Sequence, residues 1–347
     1  MDKQAPQWFV ETLSRLIDRR ALRDEQVRLI FEHMMSGQCG DLEAASLLAA
    51  LRTKGETAEE IAAAARVLRD HMVRFETGRS DVLDTCGTGG DCTGTFNIST
   101  ATALVVAGAG VPVVKHGNRA ASSQSGSADV LPALGVPLQE DPGWVQRCFQ
   151  TAGLAFCFAQ HFHPALRHLA AVRKRLKIRT IINCLGPLAN PAGAAYQLLG
   201  VGHCELLDPM AGALAQLGIR HAFLVCGRDG LDEVSLGAPT LVREVRGQSV
   251  QALEWSARDF DLEPCALSAL TVTGPAESAA LIRTILAGRP SPAARVVLAN
   301  AAAALLAAEK VDSLRAGVRL ASEALQSGRA MAVLERLISC SGGTPLP

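Results

Sequence analysis

The spacing of apolar positions changes once along the chain, near residue 75. Before that point apolar residues recur every three or four positions. Trp8, Phe9, Leu13, Leu16 and Ile17 form one stripe, and Val27, Ile30, Phe31 and Met34 form a second. This is the spacing of amphipathic helices. Asp24 is expected to begin the second helix and Ser36-Gly37 to end it. Asp41 is read as the cap of a third helix from Leu42 to Lys54, with Gly55 beyond its end. Thr57 with Glu60 predicts a capping box for a fourth, from Ala58 to about Met72. Four short, strongly apolar stripes can pack together and still leave apolar surface. The expectation is a helical domain over 1–75 whose outer face makes a homodimer, the alternative being that all of this surface is internal.

Phe75 to Ser80 reads as a hinge, after which short apolar runs alternate with helical patterns. Strands are predicted at 82–85, 112–115, 154–159, 197–201 and 221–226, and helices at 99–109, 125–134, 142–152 and 207–217. Asp141-Pro142 is a favourable helix start, a cap followed by proline at the first helical position. Runs at 239–246 and 249–254 around Gly247 predict a hairpin, and the Ala- and Leu-rich tail from about 274 to 340 predicts further helices. Residues 163–190 return to helical character, with His163-Pro164 starting a helix that carries Arg167, His168, Arg173, Lys174, Arg175 and Lys177. A basic helix of this kind is ordinarily a solvated face. The alternation predicts an α/β fold: a small N-terminal helical domain, then a larger domain over 80–347 with a mostly parallel central sheet flanked by helices.

Between Asp81 and Asp129 three small polar segments fall at strand ends or helix starts. They are Gly87-Thr88-Gly89-Gly90-Asp91, then Asn97-Ile98-Ser99-Thr100, then Lys115 to Ser123 with His116, Asn118, Arg119, Ser122 and Ser123. Glycines allow positive φ and close approach, so that successive N–H groups converge on an anion. A helix N-terminus adds unpaired donors and partial positive charge. Lys115, His116 and Arg119 add donors for phosphate oxygens. GTGGD alone is equally an ordinary tight turn, and it has neither the dinucleotide nor the Walker spacing. Three such loops together read as one anion-binding rim, placed where ligands of parallel sheets bind, at the carboxyl ends of strands. Asp232-Glu233 follows an apolar strand and the turn Gly227-Arg228-Asp229-Gly230. Two adjacent carboxylates there are either solvated surface or a magnesium site shared with substrate phosphates.

The 347 residues carry 34 basic and 34 acidic side chains and only 4% aromatics. That balance argues against nucleic acid as the main partner, since there is neither a broad basic field nor a stacking platform. The longest apolar runs, near 101–114 and 296–308, are too short to span a membrane, and the second contains Asn300. The opening MDKQAPQWF has no apolar core after a basic start. The expected setting is cytoplasmic, with no membrane partner. Ten cysteines occur without a CxxC, and all are expected to be reduced thiols. No Ser-His-Asp or Cys-His set stands out, so no acid–base catalyst is expected.

GTGGD, TFNIST and KHGNRAASSQSGSAD closely resemble the anthranilate phosphoribosyltransferase family of tryptophan biosynthesis. Arg179-Thr180-Ile181-Ile182-Asn183, LGPLANP (185–191), Gln197-Leu198-Leu199-Gly200-Val201 and Asp229-Gly230-Leu231-Asp232-Glu233 extend the resemblance over essentially the whole chain. The resemblance implies transfer of a phosphoribosyl group from 5-phosphoribosyl-1-diphosphate to the amine of anthranilate, with Mg2+, two ions per subunit, bridging the diphosphate. It implies that Gly87, Gly90 and Asp91 meet the donor with Thr95 nearby, and that Asn97, Ser99 and Thr100 hold the diphosphate side. Lys115, Asn118, Ser122, Ser123 and Ser127 would complete the donor pocket, while Ser99, Asp232 and Glu233 hold metal. Gly87, Asn118 and Arg173 would contact anthranilate, Asn118 and Arg173 by positioning it, with His116 and His163 near the ring. Part of 163–190 would fold back on the N-terminal helices and line the acceptor side. The family usually has proline at Gln160, methionine at Leu166, glycine at Lys177 and histidine at Cys226, which leaves another aromatic amine open as the acceptor. A pyrimidine nucleoside phosphorylase, which shares the architecture, and a non-catalytic or nucleic-acid-binding paralogue are the rival readings.

Overall fold

The computed structural model describes residues 6–91, 93–119, 126–138 and 142–343. Four helices come first, α1 (Gln7–Ile17), α2 (Asp24–Met35), α3 (Asp41–Lys54) and α4 (Ala58–Asp70). There follow β1 (Leu83–Gly87), α5 (Ile98–Gly108), β2 (Val113–Gly117), α6 (Ser127–Ala133), α7 (Pro142–Ala152) and β3 (Leu154–Phe158). Next are α8 (Ala159–Phe162), α9 (Ala170–Leu176), α10 (Ile182–Leu185), β4 (Tyr196–Gly200), α11 (Leu207–Gln216) and β5 (His221–Gly227). The hairpin β6 (Thr240–Arg246) and β7 (Ser249–Trp255) leads to α12 (Pro275–Leu286), α13 (Pro292–Ala307), α14 (Leu314–Gln326) and α15 (Arg329–Cys340).

The sheet has the order β3-β2-β1-β4-β5-β6-β7. The first five strands are parallel and the last two antiparallel. Side chains alternate between faces, as the pleat requires. On β5, Phe223 and Val225 enter one core with α5, α7 and α12–α15, while Ala222, Leu224 and Cys226 enter a second with α1–α4, α9, α10 and α11. The helical bundle therefore lies against one face of the sheet. The chain builds outward from β1 to β3 on one side and from β4 to β5 on the other, so the switch point lies between β1 and β4. Ligands of such sheets sit outside the carboxyl ends of the strands at that point.

Several local expectations hold in detail. Thr57 Oγ1 accepts from the Glu60 N–H at 3.2 Å while Glu60 accepts from the Thr57 N–H at 2.9 Å, completing the capping box. Gly55 closes α3 with φ 89°. Others are corrected. Asp41 is the first residue of α3 and Gly40 its cap, so the carboxylate sits in the first turn, where it still faces the helix dipole. Ile17 is 69% exposed because the buried stripe of α1 runs through Phe9, Thr12 and Leu16, and Ile17 lies about 100° further round. The helix expected from His163 is broken. A 3₁₀ turn spans Pro164–Leu169, α9 follows, and Lys177 ends it in the left-handed region at φ 52°. Asp141 lies outside the described residues.

The cysteine expectation is also corrected. Cys204 and Cys226 form a disulfide, with Cα atoms 5.6 Å apart. The cause is sheet adjacency, since Cys226 is near the end of β5 and Cys204 follows the end of neighbouring β4, a relation hidden by 22 residues of sequence. Denaturing alkylation without reductant should therefore modify two fewer thiols than alkylation after reduction. Equal counts by intact mass would remove the bridge.

Candidate active site

A cavity of about 290 Å³ opens at the switch point. β1 delivers Gly87 to Asp91, and α5 presents its N-terminus, Asn97 to Ser99. β2 delivers Lys115 to Arg119, and the loop after β5 delivers Asp232 and Glu233. The 3₁₀ turn and α9 supply Leu166 and Arg173 from the side of the helical bundle. All of these line the one cavity, as do Thr95 and Ser127. Of the expected site residues that the structure describes, only Thr100 is not brought there. Ser122 and Ser123 lie outside the described residues. Thr100 is turned one helical step away from Ser99, onto the buried face it shares with Ala103 and Leu104, and its hydroxyl has no hydrogen-bond partner.

The backbone is braced to hold these groups. Asn97 precedes α5, its N–H donating to Ser278 Oγ at 3.0 Å while Ser278 donates to Asn97 Oδ1 at 2.8 Å. Thr85 Oγ1 donates to the Ser99 carbonyl at 3.1 Å, tying β1 to α5. Ser127 Oγ and the Ala128 N–H both reach the Asn118 carbonyl, which closes the third loop onto α6. Gly200 of β4 is glycine because a Cβ there would strike the Asp232 carbonyl. Behind the two acids, Asn300 of α13 accepts from the Val234 N–H at 2.9 Å and donates to the Val234 carbonyl at 3.1 Å. The residue that interrupts an apolar run in the sequence is thus a buried clamp on the acidic loop.

The electrostatics divide the cavity. Burial pushes the Asp232 pKa up to about 7, and neighbouring Asp91, which hydrogen-bonds to it, adds to the rise. Burial and Asp232 raise Glu233 well above the usual carboxylate range. Lys115, itself fully buried, donates to Ser99 Oγ at 3.0 Å and to the Thr85 carbonyl. The raised acids are held toward their neutral form in the protein alone, and added positive charge would favour their ionised form. Among the described residues no three His, Cys, Asp or Glu side chains gather as a ready-made metal cage. The donor set, two adjacent carboxyls beside a serine hydroxyl and an anion rim, suits a hard cation that completes its shell with phosphate oxygens and water.

The end of the cavity nearer the helical bundle carries fewer acids. His116 Nε2 lies 3.1 Å from His163 Nε2. Burial lowers the His116 pKa to about 3 and the His163 pKa to about 4, so both rings are neutral at physiological pH. Arg173 faces the cavity, and burial lowers its pKa from the usual arginine value. Leu166 lines the same end, whereas Gln160 is exposed on α8 and does not reach the cavity. The sequence alone gives no role to Arg179, Asn183, Ser278 or Asn300. Arg179 and Asn183 belong to the Arg179–Asn183 motif, but nothing in their spacing reveals what they face.

A helical bundle lies on a mostly parallel sheet with a polar cavity at the switch point, and the chain belongs to the glycosyl transferase family: the model of the family's a/b domain matches residues 79–331 and that of its helical bundle domain residues 10–72. An anthranilate phosphoribosyltransferase of Thermomicrobium roseum is 49% identical over 329 residues, covering 94% of each chain. The chain belongs to the anthranilate phosphoribosyltransferase family. The crystal structure of a member from Thermus thermophilus matches with TM-score 0.89 at 43% identity, covering 95% of this chain and 99% of that one. A Saccharomyces cerevisiae member in complex with PRPP and Mg matches with TM-score 0.87 at 28% identity, covering 96% and 98%. The same enzyme with 4-fluoroanthranilate gives 0.86 at 27% identity, covering 96% and 98%.

Proposed function

We propose that this chain transfers the phosphoribosyl group of 5-phosphoribosyl-1-diphosphate to the amine of anthranilate, giving N-(5-phosphoribosyl)anthranilate and diphosphate. The observation that carries this reading is the cavity in which the three polar loops, the acidic pair Asp232 and Glu233, and Arg173 meet. The glycine loop and the N-terminus of α5 offer backbone donors to phosphate oxygens. Asn97, Ser99 and Lys115 hold the diphosphate side, and Gly87, Gly90, Asp91, Thr95, Asn118 and Ser127 complete the donor pocket.

Asp232 and Glu233, with Ser99, would hold Mg2+, and two ions per subunit fit two adjacent acids with diphosphate oxygens. When bound, the metal supplies charge neutralisation to the departing diphosphate. The chain's own contribution is positioning. Arg173 pairs with the acceptor carboxylate as a planar fork, and Asn118 with the neutral rings of His116 and His163 confines the aromatic ring. Neutral imidazoles add no charge that would compete with Arg173. The amine then meets the anomeric carbon as diphosphate leaves, without a dedicated acid or base.

The helical domain would serve dimerisation and the acceptor side. Apolar Val10, Ile17 and Leu42 face outward from α1 and α3, which supports a homodimer through that surface. No helix among the described residues is long and apolar enough to cross a membrane. A cytoplasmic setting is part of the same reading, since a sugar diphosphate does not cross bilayers unaided.

A turnover assay with a panel of aromatic amines, following anthranilate fluorescence and diphosphate release, tests the reading. Magnesium-dependent loss of fluorescence with anthranilate is expected. Turnover of another amine alone would reassign the acceptor, and phosphorolysis of a pyrimidine nucleoside without metal would replace the reaction.

A further inference from the structure

The guanidinium of Arg179 is spent on two neutral carbonyls. Nη1 donates to the Gly89 oxygen at 2.6 Å and Nη2 to the Thr88 oxygen at 3.2 Å. Both acceptors belong to the glycine loop at the heart of the cavity. In a trans peptide the C=O and the following N–H point in opposite directions. Holding the carbonyls of Thr88 and Gly89 on Arg179 therefore turns the N–H groups of Gly89 and Gly90 the other way. The Gly89 N–H indeed meets the Asp232 carboxyl. Gly90, at φ 80°, lies close to the guanidinium, where a Cβ would fall 1.7 Å from Nη1. Gly90 is thus glycine for two reasons, its backbone conformation and the arginine beside it.

Arg179 is itself firmly held. It follows the left-handed turn at Lys177 and precedes Ile181, which is fully buried in the core of the helical bundle. The Thr180 N–H donates to Asn183 Oδ1 at 3.0 Å, fixing the segment immediately after it. The same short stretch carries Arg173 on α9. An anchored cation with a rigid two-pronged fork is suited to hold two successive carbonyls, which a single ammonium is not.

We propose that Arg179 is a positioning residue for the phosphoribosyl donor. It presets the Gly87–Asp91 loop, with the N–H groups of Gly89 and Gly90 turned away from the guanidinium, before any substrate arrives, and acts through the loop rather than on the donor itself. The assignment of the donor rests on the function proposed above, but the presetting of the loop does not.

Arg179→Ala and Arg179→Lys separate the fork from the charge. Both are expected to raise the KM for the donor about 10- to 100-fold and that for anthranilate less than threefold. Methylguanidinium in millimolar amounts should recover much of the loss in Arg179→Ala and none in Arg179→Lys. A lysine that restores the donor KM would mean that charge alone matters, and would overturn the proposal. Amide exchange of the substrate-free protein gives a readout independent of turnover. A peptide covering residues 87–91 should exchange at least tenfold faster in both variants, with an unchanged melting temperature. Unchanged exchange overturns the proposal even if activity falls. Faster exchange in a chain whose native form does not use this donor would instead refute the function and leave the presetting intact.

Discussion

Replacing Asp232 and Glu233 together by Asn and Gln should lower metal-dependent turnover a thousandfold or more, roughly 4 kcal/mol of transition-state stabilisation. The fold should survive, and the chelated protein should become more stable at neutral pH. The reason lies in burial. Asp232 is raised from 3.8 to about 7, and Glu233 is raised well above its ordinary value. The neutral acids suit the folded site and the ionised ones do not. Stability from Asp232 is therefore complete below about pH 4 and is lost as the pH rises through 7, and Glu233 acts in the same direction. The amides cannot ionise, so the melting curve of the variant should be flatter over that window. Above pH 7, in chelator, the variant should exceed the native chain by about 2–4 kcal/mol. Magnesium with diphosphate should raise the melting temperature of the native chain and not that of the variant. Full turnover in the double variant would remove the metal assignment. A native melting temperature that does not change between pH 4 and 8 would remove the electrostatic account.

The second large effect is expected at Arg173. Arg173→Ala should raise the KM for anthranilate about 30-fold or more, roughly 2 kcal/mol, because a desolvated carboxylate would lose its fork. The KM for the donor should move less than threefold. The cavity supports this separation, since Arg173 comes from α9 on the helical side and the phosphate rim from β1, β2 and α5. Steady-state kinetics with each substrate varied in turn decides it. Equal effects on both constants would mean that Arg173 faces the shared part of the cavity rather than the acceptor. Arg173→Lys should recover only part of the loss, as an ammonium cannot pair bidentately.

The two variants act on opposite ends of one cavity, and the structure explains why they can be separated. The acids come from the loop after β5, clamped from behind by Asn300. The arginine comes from a helix packed on the N-terminal bundle. Arg179 touches the glycine loop. Perturbing either end need not collapse the other, because each is held by its own core.

Much of this was legible in the residues alone. The change from helical to alternating spacing near residue 75 set the two-part architecture, because apolar period follows directly from the geometry of helix and strand. Glycine clusters and the Thr57/Glu60 pair were readable because backbone conformation and capping are local matters. The long motifs carried the family and most of the pocket, down to Asp232 and Glu233. Tertiary structure decided what depends on neighbours distant in the chain. It turned Thr100 into the core, left Gln160 outside, and joined Cys204 to Cys226 across adjacent strands. It also gave Arg179 and Asn300 their partners. The physical reason is the same in each case: a side chain's chemistry is written in its own residue, but what it faces is set by packing of segments far away in sequence.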